Sequence, residues 1–408
     1  MCVCASAAVT YSRLMGSAFE GIRILDFTRH QQGPSGTALL ADMGAEVIKV
    51  EEPGGEQGRR SGLQPDGFSA YFEAHNHGKK SIVLDMRKPQ AVEIVRRLVP
   101  TCDVVAENYR PGVMERWGLG YEDLCKLRPD IILASASAWG REGPWAKRPG
   151  FDHVAQALSG IMVEQGGGPD EEPHALFGGF ADQIGGLTLA FGVASALYVR
   201  QATGQGQHVD VSLLGGLTWV QSFSLTRFLR TGLQPGFEYR RAATYTHYKC
   251  ADGRYMALAA NTQAMWERFC DAAAPHLKTD PRFAEPFGRA EHKLELVAVL
   301  EALFATKTAS EWEAVLTAAD VAHAPVLAYE QLQHHPQMWA NGYFQEIDHA
   351  VLGRMRLPGP PVHMSKTPPR VQGGGPPLGQ QTEEVLLELG YTWPEIEAFN
   401  RAGVTAVE

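Results

Sequence analysis

An aspartate enclosed by glycines is the most reactive-looking feature of the chain. Asp182 stands in the run Phe177-Gly178-Gly179-Phe180-Ala181-Asp182-Gln183-Ile184-Gly185-Gly186, whose small residues leave a carboxylate open to a ligand. From Gln183 to Val199 there is no charge, and Ile184, Leu187, Phe191, Ala194, Leu197 and Tyr198 recur at helical spacing, with apolar residues on the other faces too. That pattern predicts a buried helix, too short and too rich in glycine to span a membrane. Asp182 then falls on its first turn, where free backbone N–H groups and the positive end of the dipole favour the ionised form. Two uses follow. One is a helix cap, which needs no ligand; the other is a nucleophile toward an activated carbonyl.

Other reactive types assemble less well. There is no G-x-S-x-G elbow for a serine nucleophile. His153, His174 and His208 lack ligand spacing, so they predict ordinary polar contacts and no metal site. Arg240 and Arg241, with His247 nearby, could hold the second carboxylate of a dicarboxylic substrate, or serve as solvated surface charges. The six cysteines are scattered, which fits reduced thiols in a cytoplasm. Cys2 and Cys4 have no partner ligands nearby, Met1 to Ser12 lacks the pattern of a signal peptide, and residues 1–15 are expected to form an extension, with Met15 a candidate start.

The elements that would position Asp182 alternate. Strand-like segments at Ile22–Phe27, Val47–Val50, Ser81–Leu84, Asp103–Ala106 and Ile131–Ala136 are interspersed with helical ones such as Pro89–Leu98 and Tyr121–Leu127, predicting a mostly parallel sheet. Ligands of such sheets bind beyond the carboxyl ends of the strands, so the loops starting at Thr28, Glu107 and Ser137 should share one face. Glu51 follows the second strand as in dinucleotide-binding domains, but the first turn lacks G-x-G-x-x-G, so no pyrophosphate cradle is predicted. With 408 residues, 44% hydrophobic, the chain is long enough for two domains, and its net charge of −9 argues against a nucleic-acid footprint. The glycine- and proline-rich stretch Leu357 to Pro377 reads as an extended tail that wraps back before a helix at Gln381–Leu389.

The succession Gly150-Phe151-Asp152-His153 with Gln156 and Ser159-Gly160, then Ala181-Asp182 with Gly185-Gly186, then Arg200, Thr203-Gly204, Gly206-Gln207 and Val209-Asp210, resembles the core signature of the family III CoA-transferases, and the likeness runs from Gly21 to Val404. The resemblance implies an α/β fold: a Rossmann-like, mostly parallel large domain (16–225, completed by 337–408), a smaller α+β domain (226–336), a tail returning to the large domain, and an interlocked homodimer. It implies CoA transfer between an acyl-CoA and a small carboxylic acid, with Asp182 the nucleophile and Gln31, Gly185 and Gly186 facing the substrate or its oxyanion. Gly178, Gly179 and Gln183 are further donors in that reading. Arg29, His30, Asn76, Lys79, Lys80, Asn108, Tyr109 and Arg116 match the coenzyme A contacts. CoA is then a substrate, with no permanently bound cofactor and no metal, and no nucleic-acid or membrane partner is expected. Glu52 and Arg29 stand where the formyl-CoA members carry a basic residue and a histidine, and the tetraglycine loop of those members is not evident around Arg241 to Thr246.

The racemases of the same family share Asp182 but place a histidine after the glycine of the first motif, where Phe151 stands here. Phenylalanine carries no proton, and His153, two residues on, is turned about 200° away on a helix. Transfer is therefore the expected reaction, with epimerisation of an α-methylacyl-CoA the alternative. A non-catalytic CoA-binding protein fits poorly with a retained Asp182.

Overall fold

The computed structural model describes residues 16–234 and 242–406. Arg240, Arg241, Cys2, Cys4 and Met15 lie outside them. Strands β1 (Arg23–Asp26), β2 (Glu46–Glu51), β3 (Lys80–Val83), β4 (Val104–Glu107), β5 (Ile132–Ser137) and β6 (His208–Ser212) form one parallel sheet in the order β3-β2-β1-β4-β5-β6. Consecutive residues alternate between two cores, as the pleat requires. Leu25, Ile48, Val105 and Leu133 face one, built with the Pro89–Leu98 and Tyr121–Leu127 helices. Ile24, Val47, Val104 and Ile132 face the other, against Leu189, Val193 and Leu197. A parallel sheet covered on both faces explains why its strands read as continuous apolar runs, and each buried aliphatic side chain contributes roughly 1.5–3 kcal/mol.

The helix carrying Asp182 is longer than its uncharged stretch: it runs from Phe180 to Thr203, 24 residues. By length and composition alone it could cross a membrane, contrary to the expectation that it is too short. Its packing, however, is that of a core helix on one side. Gly186 meets the Gln32–Asp42 helix so closely that a Cβ there would fall 2.0 Å from Ser35 Oγ. The expectation of burial all round is also corrected, since Phe191 is 75% and Tyr198 74% exposed. Apolar residues on every face do not say which face the chain itself covers.

The chain divides into two compact units. The described residues of Met1–Met162, His174–Leu233 and Trp339–Glu408 form one; those of Val163–Pro173 and Gln234–Met338 form the other. The latter holds an antiparallel sheet of β7 (Tyr245–Lys249), β8 (Tyr255–Ala259) and β9 (His323–Pro325), packed with Trp266, Phe269, Phe304 and Trp312. In the former, β10 (Phe344–His349) and β11 (Gly353–Pro358) make a hairpin that leads into the glycine- and proline-rich tail and was not read from the sequence. Beyond it the chain returns to the sheet. Gln381 and Thr382 side chains accept the amides of Ser81 and Val83, covering the β3 edge.

Candidate active site

The strand order reverses between β1 and β4, so the loops leaving them part and open a crevice at the carboxyl end of the sheet. A cavity of about 650 Å³ lies there, lined by residues from the loops after β1, β4 and β5 and by Asp182. The first two loops are tied together: Asn108 Oδ1 accepts from the Arg29 amide at 2.8 Å and its Nδ2 donates to the Arg29 carbonyl at 2.7 Å. His30 takes a left-handed φ of 65°, a conformation uncommon for a residue with a side chain, and its amide donates to Glu56 Oε2 at 2.8 Å. Glu56 is itself held in the core by Lys49, 2.9 Å away.

Asp182 is the one acidic residue on the cavity wall among the described residues. It occupies the first turn of its helix, as its setting in the sequence predicts, but is not the cap; that position belongs to Gly179, left-handed at φ 67°. Nor does the helix start keep it ionised. Burial pushes the Asp182 carboxyl up to about 7, and the negative charge of Asp152 adds to the rise. Two of the expected stabilising donors are spent: Asp152 Oδ2 accepts from the Ala181 amide at 2.7 Å and the Asp182 amide at 3.1 Å. Sequence reasoning treated Asp152 as a motif residue and missed this contact, which joins residues thirty apart.

Of the positions matched to CoA contacts, Arg29, His30, Asn108, Tyr109 and Arg116 line the cavity. Arg29 lies over the Tyr109 ring, 4.7 Å from its centroid. Asn76, Lys79 and Lys80 do not line it. Lys79 is fully buried, bonded to Asp26 and to Asn76 Oδ1 at 3.0 Å, while Asn76 Nδ2 donates to Glu56. Lys80 pairs with Glu46 and Glu384 at the β3 edge. These three hold the framework; the sequence pattern marked their importance but not their direction. Gln31 donates to the Gly178 carbonyl at 3.2 Å and packs against Gly179, bracing the turn before Asp182.

Gly185 and Gly186 are corrected as oxyanion donors. The helical ladder begins with Gln183 N to Gly179 O, so amides beyond it are bonded within the helix. What these glycines supply is room: added Cβ atoms would strike Gln32 and Ser35. Gln183 bonds His75 Nε2 at 3.1 Å instead of facing the cavity. His153 is exposed and off the cavity, and the ring of His30 meets Phe151 edge-on at 5.7 Å.

Sequence reasoning also missed Tyr71, Arg110, Lys147 and Arg148 on the cavity wall. Tyr71 sits close enough to Asp182 for that charge, after burial, to raise its phenol. Arg148 stacks over Trp145 at 4.1 Å. Its neighbour Lys147 sits in a turn-rich loop with no periodicity to single it out. A second cavity of about 290 Å³ shares Arg29 and Tyr109 with the first and continues between β2 and Trp117. Beneath the loop after β4, Glu107 is pushed up to about 7 by burial, and its Oε2 accepts from the Tyr109 amide at 2.8 Å.

Known proteins resemble this chain over most of its length. The chain is 36% identical to an acetyl-CoA:oxalate CoA-transferase of Acetobacter aceti over 91% of this chain and 95% of that one. It is 34% identical to a succinyl-CoA:glutarate CoA-transferase of Mus musculus, covering 94% and 89% respectively. Among solved structures it superposes on a CAIB/BAIF family protein from Brucella suis with a TM-score of 0.81 at 30% identity, covering 92% of this chain and all of that one. Rv3272 from M. tuberculosis gives a TM-score of 0.80 at 32% identity, with 91% and 99% covered. Residues 19–382 match the family model of CoA-transferase family III, and the chain belongs to that family.

Proposed function

We propose that this enzyme moves coenzyme A from an acyl-CoA thioester to a free carboxylic acid through covalent intermediates on Asp182. A carboxylate oxygen of Asp182 attacks the thioester carbonyl, and the C–S bond breaks to give a mixed anhydride and CoA thiolate. The thiolate attacks the Asp182 carbonyl carbon, releasing the donor acid and leaving an aspartyl-CoA thioester. The acceptor carboxylate then displaces the thiolate from that carbon, and the thiolate returns to the acceptor's acyl carbon, freeing Asp182. No atom is lost to water.

The observation that carries this reading is the pairing, on one cavity wall, of a single acid with Arg29, Arg110, Arg116, Lys147 and Arg148. The cations suit the phosphates of CoA, and the second cavity, floored by Tyr109 and Trp117, suits its adenine. The donor and acceptor belong to the class that the relatives are named for, acyl-CoA thioesters and small acids such as oxalate or glutarate. A panel of acyl-CoA donors and acids, read by mass spectrometry, tests it. Asp182→Asn should still bind CoA and lose transfer; near-normal turnover, with deamidation excluded, would reject the mechanism.

Epimerisation remains the second reading because His30, an imidazole, lines the same cavity as Asp182. Burial lowers its pKa, which suits a base more than an acid donor. Incubating a single-epimer 2-methylacyl-CoA in deuterated water without acceptor acid decides: deuterium at the α-carbon at a catalytic rate supports epimerisation.

We also propose the interlocked homodimer, working in the cytoplasm without a membrane or nucleic-acid partner. Phe191, Tyr198, Trp219, Phe223 and Leu229 are each 74–81% exposed, and large apolar side chains left open to this extent favour association with a second copy. Sedimentation should show a dimer that does not dissociate on dilution; a stable folded monomer would contradict it.

A further inference from the structure

We propose that Asp152 is a positioning residue for the Asp182 reaction: by occupying the Ala181 and Asp182 amides at the start of the Asp182 helix, it withholds them from the Asp182 carboxylate and keeps that group a strong nucleophile. This rests on Asp182 acting as proposed above. The geometry is specific. Asp152 Oδ2 takes the Ala181 and Asp182 amides, while Oδ1 accepts from Gln156 Nε2 at 2.6 Å. Gln156 is fully buried, and clamps the segment before the helix by bonding both the amide of Leu176 at 2.8 Å and its carbonyl at 3.0 Å. The acid, its helix and the approach to Asp182 are thus one bonded unit.

An unoccupied helix start would stabilise a carboxylate on its first turn and so make it a weaker nucleophile. Placing a second acid on those amides removes the stabilisation and adds repulsion. The rise of Asp182 to about 7, caused by burial and then by Asp152, agrees. The surrounding groups offer no substitute for this effect. On the Ala70–Asn76 helix stand Tyr71, His75 and Glu73, the last accepting from the Gly375 amide, and on the Gln32–Asp42 helix Asp42, bonded to His77. β6 carries His208, bonded to Ser135, and Asp210, bonded to the Arg141 amide. The Asp152–Ser159 helix adds His153, the Leu213–Val220 helix and β5 add no charge, and the cavity wall adds His30 and the five cations named above.

Asp152→Asn keeps the shape and an acceptor oxygen while removing the charge. The Asp182 carboxyl can be titrated directly by infrared difference spectroscopy, each enzyme against its own Asp182→Asn counterpart. The expected result is a titration of Asp182 lower by about one pH unit in Asp152→Asn, with the acidic limb of kcat/KM moving down alongside it. Capping alone would leave both unmoved. An Asp182 titration at the same pH in the two enzymes overturns the proposal, as does a carboxyl titration that moves while the kinetic limb stays. Because the spectroscopic titration does not require Asp182 to be the nucleophile, while hydroxylamine trapping of an Asp182 intermediate does, failure of the underlying reading would show separately.

Discussion

Lys79 Nζ lies 3.0 Å from Asp26 Oδ2, with both side chains fully out of water. Burial works against the Asp26 charge, yet Lys79, Lys49 and the hydroxyls of Thr28 and Thr37 more than offset it and hold the carboxyl below its usual range. Asp26 ends β1, so this network fixes the strand from which the Arg29–Gln31 loop departs. Removing Lys79 leaves the buried Asp26 charge with only Lys49 and two hydroxyls to offset its burial, which costs about 3 kcal/mol. Lys79→Met should therefore lower stability to urea by that amount, while the CoA affinity of the folded enzyme keeps its salt dependence. A changed salt slope with unchanged stability would return Lys79 to the phosphate site.

Arg116 should behave in the opposite way. It lines the cavity and is exposed, so Arg116→Ala should leave the unfolding midpoint nearly unchanged and raise KM for the acyl-CoA roughly 10-fold, the loss of one charge-assisted contact. Steady-state kinetics with CoA and dephospho-CoA donors would show whether the 3′-phosphate is its partner.

What could be read without coordinates was whatever short-range pattern encodes. The Pro89–Leu98 and Tyr121–Leu127 helices fall where apolar spacing put them, and five strands lie within a residue or two of their predicted places. β6 was not read as a strand although His208 to Ser212 alternates polar with apolar, because the stretch was read only as part of the motif that ends at Val209-Asp210. Long-range direction was not legible. The N-x-x-K pattern from Asn76 to Lys79 looks the same whether the lysine points at a phosphate or at Asp26, and nothing near Asp182 reveals that Asp152 takes its amides.

Gly186 tests packing against chemistry. An added Cβ would lie 2.0 Å from Ser35 Oγ and 2.9 Å from the Gln32 carbonyl oxygen, so Gly186→Ala must push two helices apart. A loss of roughly 1–3 kcal/mol in stability is expected. Ser35→Gly, by clearing the nearer obstacle, should restore part of it; no rescue would mean that the clash is not the cause.

Asp182 makes stability depend on pH. Its folded value, about 7, stands above the unfolded 3.8, so the stabilisation of the protonated form is fully present below 3.8 and is lost as pH rises through 7. Asparagine cannot ionise. Asp182→Asn should match the wild type near pH 4 and exceed it by roughly 1–3 kcal/mol at pH 8, seen by denaturant unfolding. Over the same window, transfer by the wild type should rise, since only ionised Asp182 attacks.

The covalent intermediate is open to direct capture. Enzyme mixed with an acyl-CoA and quenched into hydroxylamine should, after digestion, yield the hydroxamate of Asp182 in the peptide containing it, only when acyl-CoA is present and never in Asp182→Asn. Efficient CoA transfer with Asp182 left unmodified under those conditions would contradict the account.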